Sequence, residues 1–325
     1  MADADLGRRV AVDRFHGETE QEVTMHKRRL GRTGLMVSEI GLGALEIGRD
    51  WGIVPHDVDK PDEERAIQVL ERAVHLGINL IDSARAYVLS EERIGQALAS
   101  GRLRRDAIIL ATKAGEHFDE RSGSVYDYSY DAILRSLEES LELLHTPCVD
   151  LMQIHSAPLE VVRAGEAIRA LQDAREAGKC RFVGASFDDH LACLEAIVSG
   201  DYDTIQINYN LLERAGSERL IAAAARADVG VLVKQPLACG LLTSKHVHAP
   251  AGEQGRVAPY LFLEREGQSL AQGALRFVLS NPGVHSVLCG SKRPEHLASN
   301  AAVGDGQGLT AAERERIAAV DGNAI

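Results

Sequence analysis

Two hydrophobic periods take turns along this chain. Short apolar runs of strand length, among them "INLID", "AIILATK", "VDLMQIH", "CRFVGAS" and "TIQINYN", each give way to a longer segment whose apolar residues recur every three to four positions. In "PDEERAIQVLERAVHLG", Ile67, Leu70 and Val74 share one face, acids crowd the first turn and Gly77 follows the last. That is the pattern of an amphipathic helix with favourable ends. In "DAILRSLEESLELL", Ile133, Leu134, Leu137, Leu141 and Leu144 form a similar stripe. Counting "SEIGLGAL" as the first strand and "VHSVLCGSK" as the last gives eight strand–helix units, with no two strands back to back. Such a repeat predicts a single-domain (β/α)8 TIM barrel of the α/β class. The "GRTG" turn between two short apolar stretches predicts an N-terminal β-hairpin, and "LTAAERERIAAVDG" a surplus C-terminal helix. No Gly-x-Gly-x-x-Gly opens a helix after the first core strand, which argues against a Rossmann domain.

Composition narrows the picture a little. The 325 residues are 45% apolar and 26% charged, enough for one large core. Residues 1–24 are polar and charge-rich, so they are expected to form a disordered tail before a barrel spanning 25–325. The formal net charge of −12 argues against nucleic acid as a partner. Neither a membrane-length apolar run nor a signal peptide is present, and five scattered cysteines lack a C-x-x-C pair. These features predict a cytoplasmic protein with reduced thiols and no membrane partner. The histidines lack metal-ligand spacing such as H-E-x-x-H, so no metal is expected.

The charges fall where a barrel would use them. Successive apolar strands end in Asp82, Lys113 and His155, and Tyr87 lies in the loop after the second strand. In a barrel these ends converge on one face. A charge ending a buried strand needs a partner, and Lys113 is the expected partner of Asp82. A lysine cation beside a tyrosine favours phenolate and lowers its pKa from about 10. Such a tyrosine can protonate a carbonyl oxygen while hydride reaches the carbon, with His155 positioning the substrate oxygen or assisting proton movement. Taken singly, each residue has a plainer role: Asp82 as a cap or turn residue, His155 as a structural group, Lys113 as a solvated charge. Lys113 could also serve as a Schiff-base nucleophile in a barrel lyase.

From about Lys27 to Val303 the chain resembles the aldo-keto reductase superfamily. The resemblance rests on "GINLIDSARAY" with "SEERIGQAL", "ATK", "VDLMQIH", "GKCRFVGASF" and "IQINYNLL", in that order. It implies a (β/α)8 barrel and reversible hydride transfer between a nicotinamide cofactor, NADP rather than NAD, and a small-molecule carbonyl, sugar or alcohol. The catalytic tetrad maps onto Asp82, Tyr87, Lys113 and His155. Cofactor-binding candidates are Ser186 and Gln206 for the carboxamide, Pro236, Leu237 and Gly240 of "PLACGLL", and Ser291, Lys292, Arg293 and Asn300 of the "CGSKRPEHLASN" segment expected to grip the adenosine phosphate. Lys234 or Gln235 stands where an aromatic ring often stacks on the nicotinamide, and the Lys234 ammonium is expected to reach a carboxylate or the pocket mouth instead. "YDYSYDAILRSLEESLELL" looks like members that oxidise sugars, so an oxidative sugar or alcohol dehydrogenase is one alternative and a catalytically quiet nicotinamide-binding regulatory subunit another. Neither substrate, direction nor oligomeric state follows from the sequence.

Overall fold

A computed structural model describes residues 25–51, 58–119 and 121–322. The tail expected over 1–24 lies outside them. The described strands are β1 (Lys27–Arg29), β2 (Met36–Ser38), β3 (Ile40–Gly43), β4 (Leu80–Asp82), β5 (Ile109–Ala114), β6 (Glu116–Asp119), β7 (Gly123–Tyr126), β8 (Val149–Ile154), β9 (Cys180–Ser186), β10 (Thr204–Asn208), β11 (Gly230–Lys234) and β12 (Ser286–Gly290). Eight of them, β3, β4, β5, β8, β9, β10, β11 and β12, pair in parallel and close into the expected barrel, with β12 bonded back to β3. The N-terminal hairpin β1–β2 and the terminal helix Ala311–Gly322 are both present.

The helices form where the apolar stripe and the caps agree. Helix Glu63–His75 starts because the Asp62 carboxylate accepts from the Arg65 amide at 2.8 Å. It buries Ala66, Ile67, Val69, Leu70 and Ala73 against the barrel. Helix Tyr130–Leu143 buries Ile133, Leu137 and Leu141 in the same way. Helix Leu270–Leu279 carries a complete capping box, Ser269 with Gln272. No described helix is long and apolar enough to cross a membrane.

The hairpin β1–β2 stoppers the amino-terminal end of the barrel. Its Leu30, Leu35 and Val37 pack on Leu80, Ala111, Leu151, Leu232 and Leu288 in a cluster separate from the main core. Arg28 adds donations to the backbone carbonyls of Leu279 and Val284, at 2.9 and 2.7 Å.

Two segments add structure outside the eight strand–helix units. The loop after β5 is not merely a loop: β6 and β7 form an antiparallel ribbon, Glu116 opposite Tyr126. Most of its side chains face outward, so it lacks the buried apolar run that marks the barrel strands. The long loop after β11 is largely helical, with Ser244–His248, Ala251–Val257 and Ala258–Leu263 as short turns and helices.

Candidate active site

The carboxyl ends of β4, β5 and β8 bring Asp82, Lys113 and His155 to one mouth. Tyr87 ends the single helical turn Arg85–Tyr87 that follows β4. Val88, directly after it, has φ 54°, a strained conformation for a β-branched residue. Lys113 Nζ donates to Asp82 Oδ2 at 2.5 Å, to the Ser83 carbonyl at 2.8 Å and to the Tyr87 hydroxyl at 3.3 Å. The other Asp82 oxygen accepts from the side-chain amides of Gln153 and Gln206, each at 3.0 Å. Both carboxylate oxygens are therefore engaged, and Lys113 is sealed from solvent, at 0% exposure. Charge-assisted contacts of this kind offset the cost of burying both ions.

Burial sets the proton inventory. It pushes the Tyr87 phenol above its ordinary value, and the opposing pull of Lys113 does not overcome it. The expected lowering by Lys113 is thus a component of the balance rather than its outcome, and the resting tyrosine keeps its proton. For Lys113, burial disfavours the cation, but Asp82 and Tyr87 outweigh it and hold the ammonium above its usual range. Burial drives His155 below its ordinary value, with Lys113 and Lys234 adding to the effect and Glu116 opposing it. The constellation is a protonated phenol beside a fixed cation and a neutral imidazole, with the Tyr87 and His155 rings edge to face at 5.7 Å. A phenol so placed can hand a proton to a developing oxyanion and take one back.

Asp82, Tyr87 and His155 line a cavity of ≈ 630 Å³ that continues to the end of β12, with Lys113 buried behind them. Among the cofactor candidates, Gln206, Pro236, Leu237, Gly240, Ser291, Lys292 and Asn300 line it. Ser186 and Arg293 are not among its lining residues. Ser186 is buried and accepts from Lys234 Nζ at 3.2 Å. Arg293 precedes helix Pro294–Ala301, and its amide donates to Ser291 Oγ at 3.1 Å. Lys292 Nζ donates to the Asp59 carbonyl at 3.1 Å. Lys234, at the end of β11, reaches Asp188 at 2.7 Å, so its ammonium meets a carboxylate.

Three contributors were not singled out from the sequence. Gln153 stands two residues before His155 on β8 and shares its side of the strand; a polar residue at such a position in an apolar run is the signal that marks it. Glu116 comes from the unforeseen ribbon and lies 3.0 Å from His155 Nδ1. Tyr128 donates to the carbonyls of His155 and Ser156, at 2.9 and 3.0 Å, and so clamps the backbone that carries the histidine. The "YDYSY" tyrosines thus divide: Tyr126 lines the cavity, Tyr128 braces it, and Tyr130 begins a helix.

Gly115 makes the clamp possible. It has φ +100°, and a β-carbon there would sit 2.7 Å from the Tyr128 ring. Gly115→Ala is expected to cost about 1–3 kcal/mol from backbone strain and displacement of the ring, read as a lower denaturation midpoint with reduced activity. A variant as stable and active as the parent would show that Tyr128 is not held there.

Comparison with known proteins follows the same lines. The pattern of the Aldo/keto reductase family matches residues 39–321. An L-galactose dehydrogenase of Arabidopsis thaliana is 30% identical over 290 residues, 85% of this chain and 86% of that one. An NADH-specific methylglyoxal reductase of Escherichia coli (strain K12) is 28% identical over 315 residues, 86% of this chain and 93% of that one. Among solved structures, the holo form of an aldo-keto reductase from Bacillus halodurans matches with a TM-score of 0.79 at 28% identity, over 91% of this chain and 96% of that one.

Proposed function

The chain belongs to the aldo/keto reductase family and is by that membership an oxidoreductase; from this premise we propose that it exchanges a hydride between NADP(H) and a small carbonyl or alcohol, with Tyr87 as the general acid and base. The observation that carries the reading is the Tyr87–Lys113–Asp82 chain of contacts at the mouth of a cavity large enough for ligands. Asp82 holds Lys113, and Lys113 holds Tyr87. In the reducing direction the phenol gives its proton to the substrate oxygen, and Lys113 stabilises the phenolate that remains. The oxidising direction is the reverse step: the resting phenol first releases its proton, and the phenolate, stabilised by Lys113, then takes the hydroxyl proton as hydride leaves. His155 faces the same space and orients the substrate oxygen. A catalytically quiet subunit has no need of this arrangement.

The lining suits a dinucleotide. Gly43 and Gly290 pair in register and both line the cavity, so a bare patch of backbone faces it. A β-carbon on Gly290 would come within 2.9 Å of Glu46, and the bare patch permits close approach of a flat ring or a phosphate chain. Gln206 spends its amide nitrogen on Asp82, which leaves its oxygen to accept from a carboxamide. Lys292 and Asn300 line the same stretch and supply a cation and an amide for phosphate oxygens, with Ser291, bonded to the Arg293 backbone, shaping the turn there. When bound, the nicotinamide supplies or accepts the hydride.

The L-galactose dehydrogenase relative supports a second reading within the same chemistry, oxidation of a sugar or simpler alcohol. One panel tests both: aldehydes, ketones, aldoses and alcohols, each run with NADPH, NADH, NADP+ and NAD+. Turnover with the phosphorylated cofactors is expected to dominate. Lys292→Ala with Arg293→Ala should weaken NADPH tenfold or more, since a contact to a charged group is worth about 1.5–3 kcal/mol, and should weaken NADH far less. Equal weakening of both would assign these cations elsewhere, as would a parent enzyme that prefers NADH.

A further inference from the structure

His155 has two ring nitrogens in unlike surroundings. Nδ1 is shut away from solvent and makes no well-aligned hydrogen bond, and Glu116 Oε2 lies 3.0 Å from it. Nε2 has no protein partner among the described residues, and the ring lines the cavity. The carboxylate is itself anchored. Ser124, across the ribbon on β7, donates to Glu116 Oε1 at 2.5 Å. Both Glu116 and His155 are 8% exposed. Burial works against the Glu116 anion, yet His155, Ser124 and Arg49 together hold its pKa at about 2. It remains a carboxylate and can only accept.

A neutral imidazole carries one proton, and a carboxylate accepts it from whichever nitrogen faces it. We propose that Glu116 is a positioning residue that fixes the proton of neutral His155 on Nδ1, leaves Nε2 bare toward the cavity, and so makes the site bind its substrate as an alcohol in preference to a carbonyl. A hydroxyl can accept from the protonated Tyr87 and donate to Nε2. A carbonyl oxygen can accept from Tyr87 only, and its lone pairs meet that of Nε2. The preference reverses when His155 takes a second proton, because Nε2 then becomes a donor.

Every element around the ring contributes to that balance. Lys113 on β5 and Lys234 on β11 oppose the imidazolium, and Glu116 on β6 favours it. Asp82 is occupied by Lys113 and two amides, Tyr87 is protonated, and Asp188 is paired with Lys234. Arg49 stands over Phe118 on the same ribbon, its guanidinium 3.3 Å from the ring centre, and Tyr126 and Tyr128 are uncharged phenols. Glu116 is thus, among the described residues, the only anion in contact with the ring. The inference depends on His155 facing the substrate, as proposed above, but its proton placement can be read without substrate.

Ring-nitrogen NMR on the full chain labelled with 15N-histidine, with His155 assigned by comparison with His155→Asn, gives that placement. Above its titration, His155 is expected to show a protonated Nδ1 and a bare Nε2. In Glu116→Gln its pKa should fall by about one unit or more, the usual effect of losing an adjacent opposite charge. The acid-side loss of kcat/KM for the alcohol best turned over in the panel should move down by the same amount. Ser124→Ala, which only frees the carboxylate, should shift the titration part of the way. A proton on Nε2 in the parent overturns the proposal even if Glu116→Gln does not fold, and so does an unchanged titration in Glu116→Gln. A failed substrate panel with the Nδ1 proton in place would count against the proposed activity and not against the dyad.

Discussion

Tyr87→Phe is expected to lower turnover by about 10²–10⁴-fold, the usual worth of a positioned proton donor, while the barrel and the affinity for cofactor stay within a few-fold of the parent. The substitution removes one oxygen and keeps the ring that meets His155 edge to face. The hydroxyl is the only part of Tyr87 that Lys113 hydrogen-bonds, at 3.3 Å, and Lys113 retains Asp82 and the Ser83 carbonyl without it. Packing and the buried ion pair therefore survive, and the loss falls on kcat. Single-turnover absorbance of the reduced cofactor separates this from slow release. A variant that turns over its best substrate at a near-parental rate would remove Tyr87 from the mechanism, whatever the fold.

Lys113→Met should be equally damaging to activity and, unlike Tyr87→Phe, damaging to stability. Lys113 is sealed from solvent, and its removal leaves Asp82 with two neutral amide donors. Breaking one side of a buried pair costs about 3–5 kcal/mol. The unpaired carboxylate is then expected to titrate above its ordinary range, because burial disfavours the anion. Folding would take up a proton, so the stability deficit should shrink as pH falls and grow as it rises. Adding Asp82→Asn removes the orphaned charge and should restore much of the stability without restoring turnover. Combining Lys113→Met with Tyr87→Phe should cost little more activity than either alone, since both act through one proton-transfer unit. Multiplying losses in that double variant, measured as kcat/KM, would mean two separate roles.

The barrel was legible because each strand and each helix carries its own periodicity, and the repeat counts itself. Asp82, Lys113 and His155 were legible for a related reason: an ionisable group closing an apolar strand stands out against its run. Gln153 sits inside such a run, and only the closed barrel shows that it meets Asp82 with Gln206, from a strand far along the chain. Glu116 was hidden because the ribbon that presents it has outward-facing, largely polar side chains and no core signature. The lowering of the Tyr87 pKa by Lys113 was legible from spacing, but the depth of the pocket was not, and burial outweighs the cation.

The stopper at the amino-terminal end constrains the order of assembly. Leu30, Leu35 and Val37 come from the first described residues, yet they rest against Leu232 and Leu288, and the Arg28 guanidinium is held by the carbonyls of Leu279 and Val284. On a ribosome these partners emerge late, with β11, β12 and the segment between them. The hairpin can meet Leu80, Ala111 and Leu151 earlier, but its seat is incomplete until β11 and β12 appear, and a growing chain keeps an apolar opening until the eighth strand closes the ring. Chains stalled before β12 should bind hydrophobic-surface chaperones through this opening, and release should coincide with emergence of the final strand.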